Sequence, residues 1–212
     1  MVKSITDDGD NTMKYRTGSA LVVLGVILVV VLIAAAMMFS WYLAGYNKAI
    51  RLEEEARAAW ANVDSALQRR MDLIPNLVET VKGYAAHERE LFEHIADART
   101  KYFQTDNVDS KIEAANEVGA LLSRLLMLQE QYPDLKANQN FLALQDSLEG
   151  TENRINVERI RYNNAVKNLN IYTREFFGSF FCRRAGVEPM ELFEAAPEAA
   201  QPPTVDFGQR GS

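Results

Sequence analysis

The most constraining feature of this 212-residue chain is a long uncharged stretch near its N-terminus. No Asp, Glu, Lys or Arg lies between Arg16 and Lys48, and the residues from Ala20 to Phe39 are apolar throughout. About 20 apolar residues are enough for a helix to cross the hydrocarbon core of a bilayer. The sequence therefore predicts a membrane-spanning helix within residues 18–45. Aromatic residues of the kind that lie at a membrane interface follow the run: Trp41, Tyr42 and Tyr46.

Two other interpretations of the apolar run are weaker. A cleaved signal peptide has a shorter apolar core and a basic N-terminal segment. Here the run is longer and the segment before it is neutral, although Ala34-Ala35-Ala36 is a tolerable cleavage site. A buried core helix does not need this length without a charge. We therefore expect an uncleaved single-pass anchor.

The charges that flank the run give a slight preference for one orientation. Lys14 and Arg16 precede it, whereas Lys48, Arg51 and Arg57 follow it. Because cytoplasmic flanks carry the excess of Lys and Arg, this balance favours a cytoplasmic C-terminal part and an N-terminus outside.

Beyond the anchor, the chain has the apolar periodicity of amphipathic helices. Apolar residues recur every three or four positions, which is the period of a helix and not of a strand. Pro75 interrupts the series, and Asp72 is a suitable N-cap ahead of it. We therefore predict one helix at about 46–70 and a second at about 73–103. The alternative is a single long helix kinked at Pro75, because the apolar phase continues across the proline.

Two further helices follow with the same periodicity. Asp109 or Ser110 can cap the third, and Tyr132-Pro133 ends it, since a residue before proline avoids the helical region. A long fourth helix begins near Asn138 and carries apolar positions as far as Tyr172. Short connections join antiparallel neighbours. The predicted fold is therefore all-α, with an N-terminal single transmembrane helix followed by an antiparallel four-helix bundle with long helices.

The predicted organisation has four parts. A short N-terminal segment covers residues 1–17, the anchor covers 18–45 and the helical bundle covers 46–193. The acidic, proline-rich end, 194–212, has too few apolar residues to fold and is predicted to be disordered.

A cluster of aromatic and basic residues follows the fourth helix, where an even number of helices returns the chain to the membrane. Such rings can sink into a bilayer interface while the cations meet anionic headgroups. The alternative is that the rings close the open end of the bundle. The cluster comprises Phe176, Phe177, Phe180, Phe181, Arg183 and Arg184.

A second group of polar residues lies on the predicted first, second and fourth helices. Charged rows on helices are usually solvated faces, and this is the simpler interpretation. The alternative is a polar network, between helices or between protomers, that fixes their register at a cost in stability. The candidate residues are Arg69, Arg70, Asp72, Asn76, Glu79, Glu152, Asn153, Arg154, Arg161 and Asn163.

The composition argues against several functional classes. A net charge of −6 and a pI near 5.1 do not suit a nucleic-acid binder. His87 and His94 lack the Glu-x-x-His spacing of a di-iron bundle, and one Cys cannot build a zinc site. The sequence shows no nucleophile–base set and no Gly-rich phosphate loop. We therefore expect no catalysis, metal, cofactor or small-molecule substrate.

Several long motifs form one recognisable set. They are the run from Arg69 to Ala85 with Trp60, Asp64 and His87-Glu88, then Tyr132 to Asn138, Thr151 to Ile155, Tyr162-Asn163 with Val166 and Asn170, and Val205 to Phe207. This set resembles the LemA family of bacterial membrane proteins. One departure is Glu175-Phe176-Phe177, where family members commonly have Phe-Pro. The resemblance implies a short N-terminus outside, one anchor and an antiparallel four-helix bundle inside, and some relatives are linked to magnetosome membranes.

Together these features predict a membrane-anchored, non-enzymatic helical scaffold or protein-interaction module on a bacterial inner membrane, self-assembling and involved in membrane organisation. The alternative is a membrane-bound sensor or regulator of another membrane protein complex. A carboxylate-metal enzyme is a third class, which bound metal would reveal. The expected partners are the lipid bilayer and either further copies of the chain or another membrane protein.

Overall fold

A computed structural model describes residues 11–194, with side chains from residue 21 onward. Within this part of the chain all regular structure is helical and no strand occurs, which confirms the predicted all-α class. A 3-10 turn, Leu128–Glu130, separates the third and fourth helices. The α-helices are α1 (Asn11–Lys82), α2 (Arg89–Gln104), α3 (Val108–Met127), α4 (Pro133–Lys136), α5 (Gln139–Arg174) and α6 (Phe176–Ala185).

The first half of α1 projects away from the rest of the molecule. Every side chain from Leu21 to Phe39 is exposed, and this part of the helix is strongly apolar. This part of α1 is long and apolar enough to cross a membrane, and it is the one such segment among the described residues. The predicted apolar helix is therefore present, and none of the other described residues covers its surface.

The second half of α1 packs against α5 along most of its length. The two helices run antiparallel, because the contacts step in opposite directions along them: Gly45 meets Tyr172, Trp60 meets Tyr162, and Arg70 meets Glu152. One face of α1 is buried there at helical spacing, as the apolar periodicity predicted. Its members are Ala49, Ala56, Val63, Leu67, Met71, Ile74, Leu77 and Val81.

α2 and α3 form a second antiparallel pair, joined by a loop around Asp106. Lys101 of α2 forms ion pairs with Glu113 and Glu117 of α3 across the hairpin. The buried side chains of both helices join the same core as those of α1 and α5. Two pairs of long helices therefore share one interior.

The predicted helix break at Pro75 is wrong, because α1 continues through the proline to Lys82 and the chain turns only at residues 83–88. A proline inside a helix leaves the carbonyl four residues earlier without its usual partner. That carbonyl belongs to Met71, and Nε of Arg99 donates to it at 3.0 Å. A side chain of α2 thus supplies the hydrogen bond that Pro75 removes, and Asp72 caps no helix.

The caps of the later helices correspond to the predictions only in part. Asn107, not Asp109 or Ser110, is the N-cap of α3, and its side chain accepts from the backbone N–H of Ser110 at 3.0 Å. Asn138 caps α5 as predicted, by accepting from the N–H of Phe141 at 3.0 Å.

The predicted subdivision into segment, anchor, bundle and tail stays a prediction. α1 runs through the expected boundary at residue 45 without a break, and the short helices α4 and α6 were not predicted. A regular four-helix bundle in every detail stays a prediction. Residues 11–17 of the predicted N-terminal segment belong to α1, whereas the rest of that segment, and the predicted tail beyond Glu194, lie outside the described residues.

Candidate functional site

α6 packs against α1 where the apolar half of α1 ends, and aromatic rings make the contact. The ring of Trp41 lies edge-to-face on Phe177 and Phe181, with centroids 5.1 and 5.2 Å apart. Tyr42 lies 5.8 Å from Phe181 in the same geometry. Such pairs stabilise beyond the burial of their area. We call these rings the aromatic collar: Trp41, Tyr42, Tyr46, Phe177, Phe180 and Phe181.

Two glycines allow the helices to approach closely at the collar. Gly45 faces the ring of Phe181, and any β-carbon at position 45 would overlap that ring. Gly178 lies in the same way against the main-chain carbonyl of Tyr172. The Tyr172 hydroxyl donates to the carbonyl of Gly45 at 3.0 Å, and Nζ of Lys48 lies 4.3 Å from the centroid of the Tyr172 ring. α1, α5 and α6 therefore meet at one point.

The residues predicted for the membrane interface divide into two groups. Phe181 is buried in the collar, whereas Phe176 is 85% exposed, and Phe177 and Phe180 are also exposed. Arg183 and Arg184 are both exposed on α6. The structure thus places one ring in the bundle end and leaves three rings and two cations on the surface. Their contact with lipid stays a prediction.

Cys182 lies beside this cluster and is buried. Burial, together with the charge of Glu53, raises the pKa of its thiol. Because the thiolate is the reactive form, this environment keeps the cysteine unreactive.

Arg70 is the buried charge among the predicted polar residues, with 8% of its side chain exposed. Its Nη1 donates to Oε2 of Glu152 at 2.8 Å, and its Nη2 donates to the carbonyl of Ala115 at 2.8 Å. The guanidinium therefore connects α1, α3 and α5 within one chain. Glu152 is half exposed, but its loss would leave the buried charge of Arg70 without a carboxylate partner, so this contact fixes the three helices relative to one another.

The other predicted polar residues do not join that contact. Nε of Arg154 and Nη1 of Arg161 both lie 3.0 Å from Oε1 of Glu158, a carboxylate that is 1% exposed. Glu79 forms an ion pair with Lys82, one helical turn away. Another four of the predicted residues, Arg69, Asp72, Asn76 and Asn153, are exposed and take part in neither contact. The predicted set therefore forms several separate contacts. Glu158 was not predicted as a member, although it lies one helical turn from both arginines.

A second connection between helices was also missed. Oδ1 of Asp64 accepts from the Tyr102 hydroxyl at 2.6 Å and from Nζ of Lys111 at 3.0 Å, which joins α1, α2 and α3. Burial, then the Asp64 hydrogen bond and charge, raise the pKa of Tyr102 far above its usual range. Asp64 belongs to the motif set of the sequence, but its partners are distant along the chain and no local spacing indicates them.

The segment after α6 lies along α5 and is held through its main chain. We call residues 187–194 the strap. Asn170 donates to the carbonyl of Met190 at 2.8 Å and accepts from its N–H at 3.0 Å. Asn163 makes the same pair of bonds with Phe193, at 3.0 and 2.8 Å. The strap advances three residues while α5 covers seven, about 10 Å, so it is extended.

Side chains complete the attachment of the strap. Phe193 is buried and packs edge-to-face with Trp60, which in turn contacts Tyr162. The Tyr162 hydroxyl donates to the carbonyl of Glu191 at 2.9 Å, and burial raises the pKa of Tyr162 to about 12. Asn163, a candidate for the polar network, therefore binds the strap rather than another helix.

A cleft of about 660 Å³ opens between α3 and α5. Arg70 lies on it, Leu122 and Leu148 line its apolar part, and Phe193 of the strap lies at one end. Nε of Arg70 and Oε1 of Gln145 are buried and have no hydrogen-bond partner among the described residues. The cleft can therefore receive a ligand that offers both an acceptor and a donor.

Residues 11–194 contain no group of three or more His, Cys, Asp or Glu side chains placed to hold a metal ion. Glu158, the most deeply buried carboxylate described, is paired with arginines rather than with other ligands. The described geometry offers contacts for helices and for extended peptide.

The fold and these contacts define a class of protein, namely a helical bundle continuous with one helix that is long and apolar enough to enter a membrane. The chain belongs to the LemA family, which it matches over residues 59–207. It is similar to magnetosome protein MamQ 2 of Paramagnetospirillum magneticum, at 26% identity over 86% of this chain and 75% of the relative. It also resembles magnetosome protein MamQ of Magnetospirillum gryphiswaldense, at 24% identity over 74% of this chain and 67% of the relative. Protein LemA of Metamycoplasma hominis is 23% identical, over 73% of this chain and 71% of the relative.

Proposed function

We propose that this protein is a non-enzymatic scaffold that holds a helical bundle rigidly on the bacterial inner membrane. The observation that carries the proposal is the junction at Gly45. α1 passes from its apolar half into the bundle without a break, and the collar attaches α6 to it at that point. A flexible tether would let the bundle turn freely, whereas this junction would fix the orientation of the bundle relative to the membrane.

The proposal includes an uncleaved anchor, an outside N-terminus and a cytoplasmic bundle. The flanking charges favour this orientation. The similarity to magnetosome proteins supports a role in membrane organisation. Protease treatment of intact cells should spare residues 46–193, while the same treatment of inverted membrane vesicles should digest them.

The scaffold activity that we propose is self-association through α5. Val157, Ile160 and Ile171 are exposed apolar residues of this helix, and Asn164 lies between them on the same stripe. Their spacing of three, four and seven residues is that of a coiled-coil seam, in which one asparagine sets the register. The stripe would therefore pack against the same stripe on α5 of a second copy of the chain.

The test compares two matched surface variants of the full chain extracted in mild detergent. Ile160 and Met127 are both apolar and both 60% exposed, but Met127 lies at the end of α3 away from the stripe. Light scattering should show a homo-oligomer for the wild type and for Met127→Glu, and a smaller species for Ile160→Glu. A monomeric wild type would contradict self-association, and co-purification of that monomer with a protease or kinase would favour the regulator instead.

A further inference from the structure

The cleft between α3 and α5 contains two buried polar atoms of opposite character. Nη1 of Arg70 donates to Glu152 and Nη2 donates to the carbonyl of Ala115, but the Nε–H has no acceptor among the described residues. Oε1 of Gln145 has no donor there. A buried polar group without a partner is destabilising, so a bound group with one acceptor and one donor would relieve both atoms.

An extended peptide offers that pair of groups in its own main chain. α5 already recognises peptide in this way, because Asn170 and Asn163 each bind the N–H and the carbonyl of one strap residue. The strap also runs towards the cleft. Phe193 lines one end of the cleft, and the carbonyl of Glu194 accepts from Nδ2 of Asn116 at 3.2 Å, on the α3 side.

We propose that the chain continues from the strap into this cleft, so that residues 195–207 of the same molecule occupy it. The main chain of this segment accepts from Nε of Arg70 and donates to Oε1 of Gln145. The distance is suitable, because the 18 residues of α5 from Asn163 to Gln145 cover about 27 Å, which about eight extended residues can span. The segment has more residues than that, and the family match extends to its end at residue 207.

The chemistry of the segment fits the cleft. Pro197, Pro202 and Pro203 favour an extended backbone and carry no N–H that would need a partner. Four alanines of the segment, Ala195, Ala196, Ala199 and Ala200, have small side chains that would let its main chain approach the cleft wall.

The experiment measures thiol accessibility in the full-length protein in detergent, with the buried Cys182 replaced by serine. Ser123 lines the cleft, whereas Ser147 lies on α5 outside it; both are exposed, and both hydroxyls bond to the carbonyl four residues earlier. Truncation after Glu194 should accelerate maleimide labelling of Ser123→Cys about tenfold, which corresponds to a docking free energy of about 1.4 kcal/mol. Labelling of Ser147→Cys should not change.

A second measurement tests whether the occupant comes from the same molecule. A short bismaleimide should join Ser123→Cys to Ala199→Cys within one chain, and mass spectrometry should find the cross-linked peptide in the monomer band. Gln145→Leu, which removes the acceptor without touching the oligomer stripe, should reduce the yield. Equal labelling of the Ser123→Cys variant with and without residues 195–212, or a cross-link found only between two copies, would overturn the proposal.

Discussion

The two halves of α1 are parts of one continuous helix, yet they are stabilised by different surroundings. In the apolar half, residues such as Leu28 are 60% exposed, and no protein group covers them. In the bundle half, one face is buried, with Leu67 at 0% exposure, while the other face carries the charges. A helix that is apolar all round is stable in lipid, whereas an amphipathic helix needs a protein partner on one side. The change from an all-apolar to an amphipathic surface along α1 therefore falls at the collar and not at a break in the helix.

The largest expected difference comes from placing the same charge in each half. Leu67→Arg puts an unpaired cation in the core, which should cost more than about 4 kcal/mol and unfold the bundle. Leu28→Arg should leave the bundle folded and should weaken membrane insertion by about 3–4 kcal/mol, because the cost of Arg adds to the lost contribution of Leu. Far-UV circular dichroism of the purified proteins measures the first effect, and the membrane-bound fraction after cell lysis measures the second.

The controls for this pair are Leu67→Met and Leu28→Met, which keep volume and polarity nearly constant. Neither should alter folding or insertion by more than about 1.5 kcal/mol. If Leu28→Arg unfolds the bundle as completely as Leu67→Arg does, the two halves of α1 are not stabilised independently of one another.

The next effect concerns the junction itself. Gly45→Leu forces a side chain into the space of the Phe181 ring, and overpacking of this kind costs about 1–3 kcal/mol. Gly25→Leu is the matched control, because nothing lies within 4 Å of its added β-carbon. Thermal unfolding in detergent should therefore shift to lower temperature for Gly45→Leu and stay unchanged for Gly25→Leu. Equal midpoints for the two variants would show that the collar does not hold α6 against α1.

The apolar half and the buried face of α1 could be predicted because each depends on a local pattern. Uncharged length indicates a membrane helix, and a period near 3.6 indicates one buried face. The continuity through Pro75 could not be predicted in this way. The hydrogen bond that compensates for the proline comes from Arg99, 28 residues away from Met71, and no spacing in the sequence connects the two.

The polar contacts show the same limit. Arg70 contacts two other helices, but the sequence could not distinguish it from Arg69, which is exposed. One position along a helix rotates a side chain by about 100°, so the choice depends on which face the partner helices cover. Asn163 and Asn170 bind a segment without regular secondary structure, for which no periodicity exists.

Alkaline pH should loosen the bundle half of α1 through Tyr162, which contacts Trp60. The pKa of Tyr162 is raised to about 12, mainly by burial, whereas an unfolded tyrosine ionises near pH 10. Because the folded state favours the protonated form, its contribution to stability is complete below about pH 10 and is lost as the pH rises towards 12. Absorbance of tyrosinate, followed together with Trp60 fluorescence, should show late ionisation in the wild type and one fewer late group in Tyr162→Phe. Ionisation of all tyrosines near pH 10 in the folded protein would contradict the buried position of this ring.

The smallest expected effect tests how the bundle half tolerates its proline. Arg99→Met removes the donor to the Met71 carbonyl and should cost about 1 kcal/mol, the usual net value of a hydrogen bond. In a Pro75→Ala background the N–H of residue 75 can bond to that carbonyl instead, so the same change at Arg99 should cost less. Arg99 also lies 5.0 Å from the ring centroid of Phe103, and this contact is lost equally in both backgrounds, so the cycle cancels it. Urea unfolding of the four proteins gives the coupling free energy. A coupling indistinguishable from zero would mean that Arg99 does not compensate for Pro75, and the continuity of α1 would then depend on the buried face alone.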